Sequence, residues 1–321
     1  MSYADECFIA TCKDILENGT DTRNEEVRPK WPDGTSAYTI KKFGIVNKYD
    51  LQKEFPAITV RKTGLKSAMD EILWIYQRKS NNIHDLNSHI WDQWADEKGS
   101  IGKAYGYQIG RKFFNIMKVN KEDVYGRSIY DYLCTDIFKD LPSFDIYECI
   151  DHDEFYEIRY EIDQMDYVLY ELKYHPFSRR IMTTLWNTKD LFCMNLYPCA
   201  WSVTYSVTEK NGKKYLNMFL NQRSQDMLAA NNWNTAQYAI LLMMVAQASN
   251  MEPGELIHSI VDAHIYDRHI PIIEELIKRP TYPAPKVSLN KKIKNFYDFD
   301  VNDLIVEDYK AGEQVKFEVA I

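Results

Sequence analysis

The residues best suited to chemistry lie in two short stretches, LYPCAW (Leu196 to Trp201) and NQRSQD (Asn221 to Asp226). Cys199 follows a proline at the mouth of a strand-like segment. A thiol is a nucleophile only as its thiolate, and an ordinary cysteine titrates above neutrality, so nearby positive charge is needed to activate it. Arg223 can supply that charge. The intervening WSVTYSVTEKNGKKYLNMFL reads as two β-rich segments joined at Asn211-Gly212, the turn signal of a hairpin. Such a hairpin folds Cys199 and Arg223 back toward one another. A single cysteine in an apolar stretch is more often a buried structural residue. The pairing with Arg223 and Ser224 is what points to covalent chemistry beside an anion.

The elements around this pair come from periodicity. Tyr3 to Glu17 carries apolar residues at helical spacing, predicting a surface helix that stops at Asn18-Gly19 in the left-handed conformation. A polar loop follows with Arg23, Arg28 and Lys30. SAYTIKKFGIV and AITVRKTG read as extended segments, and LKSAMDEILWIYQRK as a helix whose apolar stripe is bordered by Glu71. A carboxylate at that edge must be bonded or wet, because burial without a partner is costly. In HIWDQW, Trp91 and Trp94 fall around one turn and offer flat rings for stacking. Ser178, Arg179 and Arg180 form a compact group able to hold phosphate oxygens, although paired arginines are often only a charged turn. Asn234 opens an apolar helix and reads first as its N-cap. His264 and Tyr266, two apart in the strand-like run ELIHSIVDAHIYDRH, share one face.

Length and composition limit the alternatives. A chain of 321 residues with 45% hydrophobic content can bury a sizeable core. The net charge of −8 argues against a dedicated nucleic-acid binder, which needs a basic face. The six cysteines lack CxxC spacing and histidines at zinc-ligand intervals, so no metal is expected and reduced thiols suit a cytoplasmic protein. Asp151, His152, Asp153 and Glu154 read as a solvated loop rather than a metal site. The acid-bearing MSYADECFIATCKD is not expected to act as a secretory leader, and the longest strongly apolar run, Tyr238 to Ala246, is far below the roughly 20 residues that span a bilayer.

The motifs PCAW, QRSQDMLAANNWNTAQYA and DAHIY, with the closing VAI, together resemble the thymidylate synthase family, in particular a divergent type carrying HIWDQW and ending EVAI. The likeness runs from about Arg28 to Ile321. The resemblance implies an α+β fold, a large mixed sheet with surrounding helices that dimerises through sheet faces. It implies a single domain over 1–321 with a surface insertion at about 119–160. The implied reaction is reductive methylation of dUMP to dTMP, with methylenetetrahydrofolate as donor of the one-carbon unit and hydride.

By the same resemblance Cys199 is the nucleophile, and Glu71 and Tyr105 move protons. Arg28, Arg223 and Ser224 hold the phosphate together with Arg179 and Arg180 of the other subunit, and Gln225 also binds dUMP. Asn234 reads the uracil edge, since an amide both donates and accepts, while His264 and Tyr266 bond the sugar. Trp91, Asp226 and Ala320 contact folate, Asp226 also meeting the pyrimidine, and the C-terminus closes over both ligands. The chain departs from the family pattern at Ala200, where many members have histidine, at Gly64, where many have a folate-touching histidine, and at Ala230 and Asn232-Trp233. A pyrimidine nucleotide hydroxymethylase and a non-catalytic nucleotide-binding relative are the alternative readings.

Overall fold

The computed structural model describes residues 1–321. The chain opens with α1 (Tyr3–Asn18), capped by the Ser2 hydroxyl accepting from Asp5 N–H, then passes through β1 (Thr20–Asp21) into the long β2 (Thr39–Asp50). An irregular stretch leads to α2 (Leu65–Tyr76) and the single turn α3 (Gly106–Ile109). β3 (Phe113–Asn120), α4 (Ile129–Tyr132), β4 (Asp145–Asp151) and β5 (Phe155–Ile162) then form a unit of their own. α5 (Gln164–Tyr174) and β6 (Met182–Thr184) precede the hairpin of β7 (Ala200–Lys210) and β8 (Lys213–Gln222), followed by β9 (Gln225–Asp226). α6 (Asn231–Ala248), β10 (Glu252–Tyr266), α7 (Ile270–Leu276), β11 (Lys286–Leu289) and β12 (Leu304–Glu307) complete the order.

The main sheet runs β1-β2-β10-β8-β7-β6, with β9 extending the pairing of β10. It is mixed: β10 is antiparallel to β2 and parallel to β8 and β9, and β7 is antiparallel to β8. Strand alternation explains its two faces. Val203, Tyr205 and Val207 of β7 and Leu216, Met218 and Leu220 of β8 are buried on the inner face. Against that face packs α6, buried nearly all round from Tyr238 to Ala246, and α2 packs against α6. An 18-residue helix buried on all sides has little amphipathic contrast. The outer sheet face keeps Phe43, Val46, Phe219 and Val261 exposed. No helix is long and apolar enough to cross a membrane.

Several local expectations change. Gly19 is extended rather than left-handed, and glycine is required there because a Cβ would sit 2.3 Å from the Ile15 carbonyl oxygen. α1 is docked rather than superficial, with Phe8, Cys12 and Ile15 buried. AITVRKTG is not a strand; its backbone is irregular and is held in part by Asp5, which accepts from Thr59 N–H at 2.6 Å. β10 stops at Tyr266, and Asp267–His269 is a short 3-10 turn. α6 begins at Asn231 with no side-chain cap, so Asn234 is a helical residue and not an N-cap.

The acid-rich segment also has more structure than a solvated loop. β3, β5 and β4 form an antiparallel sheet in that order, closing over a separate core that includes Leu133, Phe138, Ile158 and Tyr160. α5 contributes Tyr170 to this core and Met165, Val168 and Leu172 to the main one, so it joins the two. The alternation of β5, with Ile158, Tyr160 and Ile162 buried, is the signal that the charges between them obscure.

Candidate active site

The hairpin assembles the centre. Lys210 pairs with Lys213, and Asn211 and Gly212 turn the chain at φ of 53° and 73°. At the open end, Arg223 N–H donates to the Cys199 carbonyl at 2.9 Å. The Arg223 guanidinium is fixed by the Pro198 and Tyr197 carbonyls at 3.0 and 2.8 Å and lies 3.6 Å from Cys199 Sγ. Burial pushes the Cys199 thiol up, Arg223 and Arg28 pull it down, and burial prevails. The cationic activation read from the sequence is therefore present in direction but outweighed in the free pocket.

Tyr105 approaches from the start of α3. Its hydroxyl accepts from Cys199 N–H at 3.4 Å, and its ring stands edge-on to Trp91 at 4.7 Å. Its backbone, at φ 47° and ψ −107°, is in a region that side-chain-bearing residues avoid. Gly106 permits the turn, since a Cβ there would lie 2.1 Å from the Ser80 carbonyl oxygen.

Glu71 lies deep in the same cleft, on α2 and only 5% exposed. Burial pushes its carboxyl up to about 7, against the opposing pull of the Trp233, Gln237 and Trp91 donors, while neighbouring Asp70 adds to the rise. Trp233 Nε1 donates to Glu71 Oε2 at 2.6 Å. Trp91 Nε1 and Gln237 Nε2 lie near the same carboxyl but short of hydrogen-bond geometry, and neither has another partner. Buried donors left open beside a carboxyl that titrates near neutrality suit a site that moves protons on a bound ligand.

Asn234 is oriented from both sides. Its oxygen accepts from Gln222 at 3.0 Å, and its nitrogen donates to Gln237 at 3.0 Å. His264 Nδ1 lies 2.9 Å from Asp262 Oδ1, and its ring stands edge-on to Tyr266 at 5.1 Å. Asp226 accepts from Leu228 and Ala229 N–H at 2.8 and 3.0 Å. Burial opposes its ionisation, but His269, His264 and the Ala229 N–H overcome it, so the carboxyl titrates below its usual range.

All of these side chains line one cavity of about 830 Å³, together with Arg28, Ser224, Trp91, Trp94 and Ala320. A larger cavity of about 1040 Å³ lies elsewhere, among Lys213, Lys291 and Lys294, and contains none of the residues singled out for chemistry. Gln225 is fully buried with both amide atoms unpartnered and does not line the cavity. Arg179 and Arg180 are exposed, form no ion pair and lie outside this chain's own cavity.

The C-terminal tail forms part of the wall. Ile321 and Lys30 exchange backbone hydrogen bonds at 2.9 and 2.7 Å, and Gln314, Phe317, Val319 and Ala320 also line the cavity. Arg61, which lines the cavity, and His269, which lies behind Asp226, are residues that the sequence does not advertise. Arg61 lies over the Phe317 ring at 5.6 Å. His269 Nε2 donates to the Glu318 carbonyl at 2.8 Å, and its Nδ1 is 3.8 Å from Asp226 Oδ1, an ion-pair distance. Burial works against the charged imidazole, but Asp226 and the Glu318 carbonyl win, raising its pKa. His258, which also lacks a signal, is a core residue bonded to Gln222 at 2.7 Å, and burial depresses its pKa to about 3.

A thiol beside a fixed guanidinium, in an aromatic-walled cleft with a near-neutral carboxyl and an oriented amide, is an arrangement suited to covalent attack on an anionic substrate. The thymidylate synthase family model matches residues 6–321. A thymidylate synthase of Bacillus licheniformis is 38% identical over 325 aligned positions, covering 100% of both chains. Thymidylate synthase 1 of Bacillus subtilis is 36% identical with the same coverage. Among solved structures, thermostable thymidylate synthase A from Bacillus subtilis superposes with a TM-score of 0.79 at 35% identity, again over 100% of both chains. The chain belongs to the thymidylate synthase family.

Proposed function

We propose that the protein catalyses reductive methylation of dUMP to dTMP, and that Cys199 is the nucleophile. The observation carrying this reading is the convergence of Cys199, Arg223, Glu71, Tyr105, Asn234 and Asp226 on one cavity. Arg28, Arg223 and Ser224 receive the phosphate. His264 and Tyr266 bond the sugar, and Asn234, held between Gln222 and Gln237, presents its amide to the uracil edge. An aspartate there would suit the amino group of cytosine, so Asn234 favours dUMP over dCMP and the synthase over a cytosine hydroxymethylase.

The Cys199 thiolate adds to C6 of the uracil, and the electron pair released makes C5 nucleophilic. Methylenetetrahydrofolate, when bound, supplies the one-carbon unit and the hydride. The residues fit it: Trp91, Trp94 and Phe317 offer flat apolar surface, and Asp226 offers an ionised carboxylate to ring N–H groups. Glu71 and Tyr105 transfer protons at the pyrimidine, and the C5 proton must leave before Cys199 is expelled. The tail carrying Ala320 and Ile321 excludes water from the same cavity.

Arg179 and Arg180 reach the phosphate of the opposite subunit in a homodimer, in keeping with their exposure and lack of partners. The apolar residues left on the outer sheet face, Phe43, Val46, Phe219 and Val261, suit a two-fold sheet-to-sheet interface. The chain acts as one catalytic domain, with 119–160 as an inserted surface unit, and works in the cytoplasm, as its six free thiols suit.

Intact-mass analysis of the protein mixed with dUMP and methylenetetrahydrofolate tests the nucleophile. A covalent adduct is expected with the wild type and none with Cys199→Ser. An adduct that persists in Cys199→Ser contradicts the assignment.

A further inference from the structure

Trp233 lies in the first turn of α6, and the proposed reaction assigns it no part beyond its bond to Glu71. Its indole connects two features from different elements. Nε1 donates to Glu71 Oε2 on α2 at 2.6 Å, a short bond of the charge-assisted kind. The far edge of the ring covers Gly64, the residue preceding α2: a Cβ placed there would meet Cζ3 at 3.6 Å, ordinary van der Waals contact. Gly64 and Trp233, two separate departures from the family pattern in sequence, are therefore neighbours in space. The indole fills a wall of the cavity where Gly64 provides no side chain, since both residues line it.

The Glu71 carboxylate has Trp233 as its one hydrogen-bond donor of good geometry. Gln237 also faces it from α6 and Trp91 from the turn beside α2, each with its nitrogen unpartnered; Asp70 is its charged neighbour on α2, and Tyr105 its neighbour at α3. A carboxylate gripped through one oxygen cannot rotate freely, so the other keeps a fixed direction. We infer that Trp233 is a positioning residue for Glu71: the indole N–H fixes the carboxylate that serves the pyrimidine, and the ring over Gly64 locks the indole in place. This inference rests on the proposed role of Glu71 as a proton-transfer group.

Trp233→Phe tests it, because the replacement keeps an aromatic ring and removes the donor. The readouts are the pH profile of kcat and titration of the Glu71 carboxyl in carbon-13-labelled unliganded protein, with Glu71→Gln as reference. The limb of the profile that Glu71→Gln abolishes should move up by about one pH unit in Trp233→Phe, and kcat should fall about tenfold, because the donor favours the ionised form. The carboxyl titration should shift in the same direction without any ligand. Trp233→Leu, which keeps apolar bulk, carries the same test if the phenylalanine variant does not fold. A fall in kcat with the limb and the carboxyl titration unmoved means that Trp233 is only packing, and overturns the inference. A profile unchanged in Glu71→Gln instead removes the proton-transfer role of Glu71, and the inference falls with it.

Discussion

Glu71 is where the single-residue energetics and the chemistry meet. Its carboxyl is raised from 4.5 to about 7 by burial. A group that binds its proton more tightly when folded stabilises the fold below its unfolded pKa, and that stabilisation is lost as pH rises through the folded value. The unliganded protein should therefore lose on the order of 3 kcal/mol between pH 4.5 and 7 from this group alone. Glu71→Gln should remove that part of the slope, making the variant more stable than wild type at pH 8 by denaturant unfolding while reducing kcat. Equal pH dependence in the two proteins would show that the carboxyl is not raised by burial. At Asn234, replacement by aspartate should lower kcat/KM for dUMP about 100-fold and improve binding of dCMP, measured by direct competition. These residues were legible from the sequence to different degrees. Cys199 and Arg223 are joined by a hairpin with a plain turn signal, whereas the role of Glu71 is legible only through family resemblance, since a carboxylate bordering an apolar stripe reads more readily as a surface ion pair.

Elements decide what sequence reading could not. The hairpin of β7 and β8 is local, so alternation and Asn211-Gly212 suffice to predict it. His269 reaches Asp226 and the Glu318 carbonyl from a turn that reads as the continuation of β10. Arg61 comes from a stretch whose apolar alternation reads as a strand but whose backbone is irregular and held by contacts distant in sequence. Neither arrangement has a local signature, because both depend on tertiary contacts with the tail. The tail is consequently a testable element. Deleting Val319 to Ile321 should lower kcat by on the order of 100-fold while leaving dUMP binding largely intact, as calorimetry with dUMP alone would show. His269→Ala, which removes one anchor, should raise KM for the folate about tenfold with a smaller effect on dUMP. A loss of dUMP affinity equal to the loss of folate affinity would mean that His269 supports the whole pocket rather than its lid.

At the scale of the molecule, the main sheet, its helices and the second core form distinct layers of explanation. The strands of the mixed sheet carry or adjoin Cys199, Arg223, Asp226, His264 and Tyr266; α6, packed on the inner face, carries Asn234, and α2, packed against α6, carries Glu71. The segment around 119–160 reads as polar from its charges, yet it folds because alternate residues of β5 face a core completed by α4 and α5. Charge density hides that alternation in the sequence. Dimerisation provides the largest-scale prediction. Subunits carrying Arg179→Ala and Arg180→Ala, mixed with Cys199→Ser subunits after unfolding and refolding together, should recover about a quarter of wild-type activity, because half the dimers then contain one complete site. No recovery, with heterodimers demonstrated by native mass spectrometry, would place both arginines outside the partner's site.

The most direct test of the whole account incubates the pure protein with methylenetetrahydrofolate and either dUMP or dCMP, with Cys199→Ser alongside, and identifies both the nucleotide and the folate products. dTMP and dihydrofolate are expected from dUMP, with little product from dCMP and a loss of more than about a thousandfold in the variant. A hydroxymethyl nucleotide with tetrahydrofolate, or unchanged turnover by Cys199→Ser, would contradict it.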